Sequence, residues 1–350
     1  MSGKYPDWLQ HNVPLQPLNT LALPATARYF TAVKTLTDLG QALLWAKAVG
    51  VDILPLGGGS NIVLAADFTG LVIQLQIAGR ERLEQEGAKT DAVLVRAGAG
   101  ENWHEFVLWT IEQDCFGLEN LSLIPGSVGA APIQNIGAYG VEIRDLFHSL
   151  DAINVHTGEL VTFERADCGF GYRDSVFKGE ARDRFIIVSV TFALSRKFAS
   201  SLGYGQLHQA VLKAADGQRP TAALVSDVVC AIRSRKLPDP QVLGNAGSFF
   251  KNPLVTEADY RKLSEQEPGL LAYPAEDGFW KLAAGWLIEC CGFKGVTRAS
   301  GVGVYREQAL VLVNHGGATG RDVLALAEEI KVAVLARFAV ELEIEPRIYR

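Results

Sequence analysis

Residues 123–140, LIPGSVGAAPIQNIGAYG, constrain the fold more than any other stretch, because their glycines and small side chains have no core to build yet sit between two ordered regions. Gly126, Gly129, Gly137 and Gly140 allow backbone angles closed to other residues, and Ser127, Ala130 and Ala131 keep side chains short. Main-chain N–H groups can therefore close on something bulky and anionic. Pro125 and Pro132 stiffen the path. A glycine-rich connector without a ligand has the same composition, so a second stretch matters. PLGGGSN, residues 55–61, leaves the end of the apolar run 51–56, which reads as a buried strand. Three glycines at a strand end are where phosphate cradles form. Neither the spaced GxGxxG fingerprint nor a GxxxxGK[ST] loop is present, so Rossmann and P-loop assignments lack their signature.

A chain of 350 residues exceeds one ordinary core and predicts two or three domains. With 48% hydrophobic and 21% charged residues it has a globular composition, and no apolar run reaches the roughly eighteen residues of a membrane helix. The first twenty residues lack an apolar segment behind a basic one, so the expected compartment is the cytoplasm. Five cysteines without CxxC or Cys/His spacing read as reduced thiols, with neither a disulfide framework nor a metal site. A net charge of −6 argues against a general nucleic-acid binder.

Along the chain, residues 28–33 read as a strand, 35–49 as a helix with Thr35 and Asp38 at capping-box spacing, and 51–56 as a second strand. Strands at 71–77 and 93–97 follow, parted by a charged hairpin over 79–91. Residues 103–113 form a helix whose Trp103, Phe106 and Ile111 suit a core face. Strands run through 150–194, clearest at 186–192. Residues 198–206, FASSLGYGQ, read as a loop around Tyr204. Pro220 opens a helix that ends in Arg233, Arg235 and Lys236, and Pro238-Asp239-Pro240 marks a boundary. Beyond it lie a loop at 244–253, a helix started by Thr256, a loop holding Tyr273, a helix at 281–291, strands at 302–305 and 309–314, and a helix at 321–338 capped by Thr319 and Asp322.

Three places carry chemistry. In GNAGSFFKNP, residues 244–253, glycines and alanine hold Ser248 in a tight turn; GxSxG is missing, which argues against a hydrolase but allows a serine that donates a proton. FGYRDSVFK, residues 170–178, concentrates Tyr172, Arg173, Asp174 and Lys178. From 340 to 350, Val340, Leu342, Ile344 and Ile348 alternate with Glu341, Glu343, Glu345 and Arg347, the period of a strand with one charged face.

PLGGGSN, GLENLSLIPGSVGAAPIQNIGAYG, FGYRDS, GNAGSFFKNP and KLAAGWLIE span nearly the whole chain and closely resemble the UDP-N-acetylenolpyruvoylglucosamine reductases of peptidoglycan synthesis. The loop around Tyr204 is similar to that family's tyrosine-loop type. The resemblance implies an α+β fold. A vanillyl-alcohol-oxidase-like (PCMH-type) FAD-binding domain of two α+β subdomains would cover residues 1–237, split near 70–95 and completed by a carboxyl-terminal strand at 340–350. A smaller α+β substrate-binding domain would cover 238–339. The implied cofactor is FAD, with NADPH as hydride source and the enolpyruvyl ether of UDP-N-acetylglucosamine as acceptor. The product is UDP-N-acetylmuramate. A monomer with no nucleic-acid or membrane partner is expected.

Residue by residue, the resemblance assigns FAD to Gly57, Gly58, Gly59, Ser60 and Asn61 in the first motif. In the second it assigns Pro125, Gly126, Ser127, Gly129, Ala130, Ile133, Ile136 and Gly137, with Arg233 beyond. Hydride from flavin N5 would reach the terminal enolpyruvyl carbon, and negative charge would develop toward the carboxylate. Arg173 and Glu345 would stabilise that charge, the glutamate only as the neutral acid, and Ser248 would protonate the adjacent carbon. Substrate would be held by Tyr172, Tyr204, Lys236, Asn252 and Tyr273, with Glu307 standing where the family has a glutamine and Gln308 beside it. Pro346 follows the expected glutamate rather than preceding it, which leaves Glu343 as a substitute on the same face. Two rivals are a flavin oxidase of the same superfamily, which would need a base where Ser248 is a poor one, and a UDP-sugar-binding protein without flavin.

Overall fold

Thr35 starts the first helix, Leu36–Val49, as its spacing to Asp38 predicts. The Thr35 hydroxyl accepts the Asp38 N–H, the Asp38 carboxylate accepts the Thr35 N–H, and Gly50 ends the helix in the left-handed region. A computed structural model describes residues 5–83, 91–203 and 205–350. The chain divides into two units. The first comprises the stretch up to Val13 with Ala27–Gly58 and Thr69–Arg233; the second comprises Pro14–Thr26, Gly59–Phe68 and Ser234–Arg350.

The first unit holds a four-stranded sheet in the order Gln10–Pro14, Thr26–Val33, Phe68–Leu75, Ile53–Leu56. Its last pair is parallel, as strands joined by a crossover must be. A five-stranded antiparallel sheet follows, in the order Leu160–Glu164, Phe147–Asn154, Phe185–Ser195, Ala92–Gly98, Arg80–Leu83. Of the charged hairpin expected at 79–91, Arg80–Leu83 forms the edge strand, and residues 84–90 lie outside the described residues. On this sheet rests the helix Trp103–Glu112, its Trp103 and Phe106 rings 5.9 and 5.5 Å from Phe192. All three side chains are fully buried, each contributing roughly 1.5–3 kcal/mol. The helix therefore packs, as its apolar face predicts.

In the second unit the helix Gly320–Phe338 buries Val323, Leu326, Ala327, Ile330, Val334 and Phe338, one stripe at helical spacing. Thr319 and Asp322 form its capping box. A three-stranded sheet runs Gly244–Ser248, Val311–Asn314, Val302–Val304, and a smaller one runs Leu254–Thr256, Phe279–Leu282, Ala272–Pro274.

Several local expectations change. The loop expected at 244–253 begins as a strand, because Gly244, Asn245 and Ser248 pair with Asn314, Val313 and Val311. Tyr273 lies in a strand opposite Lys281, so the helix expected from 281 shortens to Ala284–Cys290. Thr221, not Pro220, caps the helix Ala222–Lys236, its hydroxyl accepting the Leu224 N–H. The helix Gly205–Ala215 begins inside the expected loop at 198–206. Of the strand expected at 340–350, only Arg347–Tyr349 is regular, although Leu342 is buried between exposed Glu341 and Glu343 as alternation predicts.

The division of the chain also differs from the expected split at 237. Pro14–Thr26 and Gly59–Phe68 leave the amino-terminal region for the second unit, and residues 340–350 stay in it. The reasons are pairings across long sequence distances. Arg347–Tyr349 lies parallel to Ile62–Leu64, Asn314 donates to the Leu21 carbonyl at 2.9 Å, and a Cβ on Gly244 would meet the Leu21 oxygen at 2.7 Å.

Candidate active site

In the first unit the two glycine-rich stretches meet. A Cβ added to Gly57 would lie 2.5 Å from the Ser127 hydroxyl, and one on Gly58 would lie 3.1 Å from the Gly126 Cα. At Gly58 backbone thus rests on backbone, and at Gly57 backbone rests on the Ser127 side chain, approaches that only glycine permits. The Val128 and Gly129 N–H groups are committed to the Glu101 and Ala99 carbonyls, whereas those of Gly126 and Ser127 meet no backbone acceptor among the described residues. The cradle is therefore narrower in its donors than the motif suggests. Gly129 is pressed onto Ala99 and Ile136 is buried in the sheet's core, so both shape the turn from behind. Ala130 is half-buried, Pro125 exposed, and Ile133 exposed while its carbonyl accepts the Ser175 hydroxyl at 2.6 Å.

PLGGGSN itself is divided: Gly57 and Gly58 belong to the first unit, and Gly59, Ser60 and Asn61 to the second. Gly59, at φ +61, has the Leu18 oxygen 2.1 Å from any Cβ, so its identity is explained by that contact alone. The Asn61 carbonyl accepts the Arg347 N–H, which ties the motif to the carboxyl-terminal strand.

Arg173 adopts φ +52, stacks its guanidinium on the Tyr172 ring at 5.7 Å, and donates to the Gly137 carbonyl at 2.6 Å. That turn is held by Asn135, which the sequence reading missed. Fully buried and left-handed at φ 42, Asn135 donates to Gly171 and Glu142 and accepts the Arg144 N–H. An asparagine in an irregular run, two residues before Gly137, is the signal such a turn leaves, because its short polar side chain tolerates the left-handed region. Arg233 donates to the Leu123 carbonyl at 3.2 Å, and burial lowers its proton affinity.

In the second unit Ser248 ends a strand and is followed by Phe249 and Phe250, both buried in its core. The carboxyl-terminal segment runs antiparallel beside them. Glu345 N–H donates to the Phe249 carbonyl at 2.9 Å, and Lys251 N–H donates to the Glu343 carbonyl at 2.9 Å. The expected proton donor and the expected glutamate thus stand on neighbouring backbones, about 100 residues apart in sequence. Glu343 is otherwise engaged: its exposed carboxylate pairs with Lys251 Nζ at 2.5 Å. Asn252 accepts the Ala284 N–H through its amide oxygen, which leaves its NH₂ as the group for an anionic ligand. Tyr273 and Lys236 are exposed. Glu307 is exposed and pairs with Arg306, while the Gln308 amide oxygen accepts the Leu310 N–H. Tyr204 lies outside the described residues.

Among the described residues no group of three or more His, Cys, Asp or Glu could hold a metal, and no helix is long and apolar enough to cross a membrane. The cysteines form no disulfide, and burial pushes the Cys168 thiol up to about 12.

Comparison with known proteins adds the following. The profile of the family described as "FAD binding domain" matches residues 27–164, and that of "UDP-N-acetylenolpyruvoylglucosamine reductase, C-terminal domain" matches 239–349. The UDP-N-acetylenolpyruvoylglucosamine reductase of Paraburkholderia phymatum is 51% identical over 334 residues, 95% of each chain. That of Pseudomonas aeruginosa is 51% identical over 341 residues, 97% of this chain and 99% of its own. The crystal structure of the Thermus caldophilus reductase aligns with a TM-score of 0.64 at 23% identity, covering 97% of this chain and 98% of that one, and so shares the fold.

Proposed function

The chain belongs to the UDP-N-acetylenolpyruvoylglucosamine reductases, and from that membership we propose that it uses FAD to reduce the enolpyruvyl ether of UDP-N-acetylglucosamine to UDP-N-acetylmuramate. NADPH is the reductant, the setting is cytoplasmic peptidoglycan synthesis, and the working form is a monomer. In this reading the first unit is the FAD-binding domain and the second the substrate-binding domain.

The first unit fits the flavin. Gly57 and Gly58 against Gly126 and Ser127 make a surface that side chains would fill, and the Gly126 and Ser127 N–H groups suit pyrophosphate oxygens. FAD held there would supply the hydride chemistry, with NADPH as source and the terminal enolpyruvyl carbon as acceptor. The chain's own residues do the rest. Arg173 and Glu345 stabilise the charge that develops on the substrate carboxylate, the arginine by its fixed cation and the glutamate by donating a hydrogen bond. Ser248 delivers a proton to the adjacent carbon; a hydroxyl is a poor acid in water but adequate toward a carbanion-like centre. Lys236 and the Asn252 NH₂ suit the diphosphate, while Tyr172, Tyr204 and Tyr273 suit sugar and base. Glu307, paired at the surface with Arg306, makes the weakest case for substrate contact.

The observation that carries the reaction is the antiparallel pairing of residues 249–251 with 343–345, which favours Glu345 over Glu343 as partner of Ser248. An anaerobic experiment tests the whole. NADPH should bleach the flavin band, and the enolpyruvyl sugar nucleotide added afterwards should restore it. Failure of the second phase, with the first intact, would refute the acceptor.

A further inference from the structure

Leu123, three residues before Gly126 at the start of the glycine-rich stretch, has φ +59. Leucine takes that conformation only where its surroundings impose it. Two helices impose it. His104, on Trp103–Glu112, accepts the Leu123 N–H through Nδ1 at 3.0 Å, and Arg233, on Ala222–Lys236, donates through Nε to the Leu123 carbonyl at 3.2 Å. One residue is thus gripped at both its N–H and its carbonyl, through the two peptide units that flank its Cα. With Nδ1 accepting, the imidazole is neutral and carries its proton on Nε2, which faces the Cys230 sulfur at 3.9 Å.

Resting on the reading that this turn holds FAD, we propose that His104 is a positioning residue of the flavin site, which acts through Leu123 and does so only as the neutral imidazole. Protonation would turn Nδ1 into a donor facing another donor. It would also set a second cation beside Arg233. The charged and titratable groups facing His104 are Arg233 and Cys230 from the neighbouring helix and Glu105 on its own. Burial first, then Arg233, hold His104 below its ordinary value of 6.5, and Glu105 opposes them. The sign follows. A base whose pKa is held below 6.5 is mostly neutral at and above that pH, so the grip holds there and is lost as the pH falls through the depressed pKa.

The test is FAD affinity of the apoprotein, read by flavin fluorescence from pH 5 to 8.5, for wild type, His104→Asn and His104→Leu. Asparagine offers an acceptor near the Nδ1 position and does not titrate. Wild type should weaken by up to about tenfold per pH unit once His104 titrates. His104→Asn should bind within about threefold of wild type at pH 8 with a flat profile, and His104→Leu about tenfold weaker and flat, the loss of one hydrogen bond. An Asn variant with the wild-type slope, or a Leu variant with wild-type affinity at pH 8, would overturn the proposal. Should the Leu variant not fold, the Asn profile alone decides. Gly58→Val separates the two levels of the argument. If it binds FAD normally, the cradle reading itself fails; if it loses FAD while the His104 variants behave as wild type, only the role of His104 fails.

Discussion

Gly58 and Gly247 sit in two runs of similar composition, PLGGGSN and GNAGSFFKNP, yet an added Cβ meets opposite surroundings. At Gly58 it would touch the Gly126 backbone at 3.1 Å; at Gly247, where φ is +67, nothing lies within 4 Å. One glycine is demanded by a close approach and the other by a dihedral angle. Composition cannot separate these needs, because both read as absence of a side chain. The first region brings two backbones close enough to offer N–H groups to an anion. The second lets the chain turn into Ser248 and then bury Phe249 and Phe250, which anchor the serine beside the carboxyl-terminal segment.

The two regions should therefore fail in different ways. The largest effect is expected at Ser248. Ser248→Ala should slow flavin reoxidation by the acceptor by about 10²–10⁴ while NADPH reduces the flavin at the wild-type rate. Stopped flow at the flavin band reads both phases, and equal slowing would make the serine structural. Next, Glu345→Ala should lower kcat by roughly 10²–10³, as loss of one charge-stabilising donor does. Glu343→Ala, which removes an ion pair whose carboxylate is exposed while the Lys251 side chain is largely buried, should change kcat by less than about threefold. Reversed magnitudes would exchange the two glutamates. Smaller again, Gly58→Val should weaken FAD binding by about ten- to a hundredfold, corresponding to overpacking of roughly 1–3 kcal/mol. Titration of apoprotein with FAD measures it. Smallest, Gly247→Ala should cost about 1–2 kcal/mol of stability through its dihedral alone and leave FAD affinity unchanged. Denaturant unfolding would show the first and the same titration the second; a fall in FAD affinity there would erase the contrast between the regions.

Much of this was legible in order along the chain. Thr35 with Asp38 and Thr319 with Asp322 start helices where their spacing predicts, because a capping box is closed within four residues. The buried stripe of Gly320–Phe338 and the packing face of Trp103–Glu112 follow from a period of 3.6, also a local property. The glycine motifs marked the close approach of residues 57–58 to 126–127 and the turn into Ser248, and with them the family.

Tertiary structure decided the rest. The strand Gly244–Ser248 exists because Val311–Asn314 lies beside it; its own glycines and small residues predict a loop. Tyr273 and Lys281 form strands for the same reason. Residues 59–68 join a unit whose other strands lie mostly beyond residue 234, and one position separates Gly58 from that choice. Glu343 and Glu345 share parity and composition, and it is tertiary contacts, the Lys251 side chain on the first and the Phe249 carbonyl on the second among them, that tell them apart. Nothing around His104 in sequence marks it, since its partners are Leu123 and Arg233, the latter more than 100 residues away. Caps and periods are set by neighbours within a turn, whereas these contacts join residues that only the closed chain brings together.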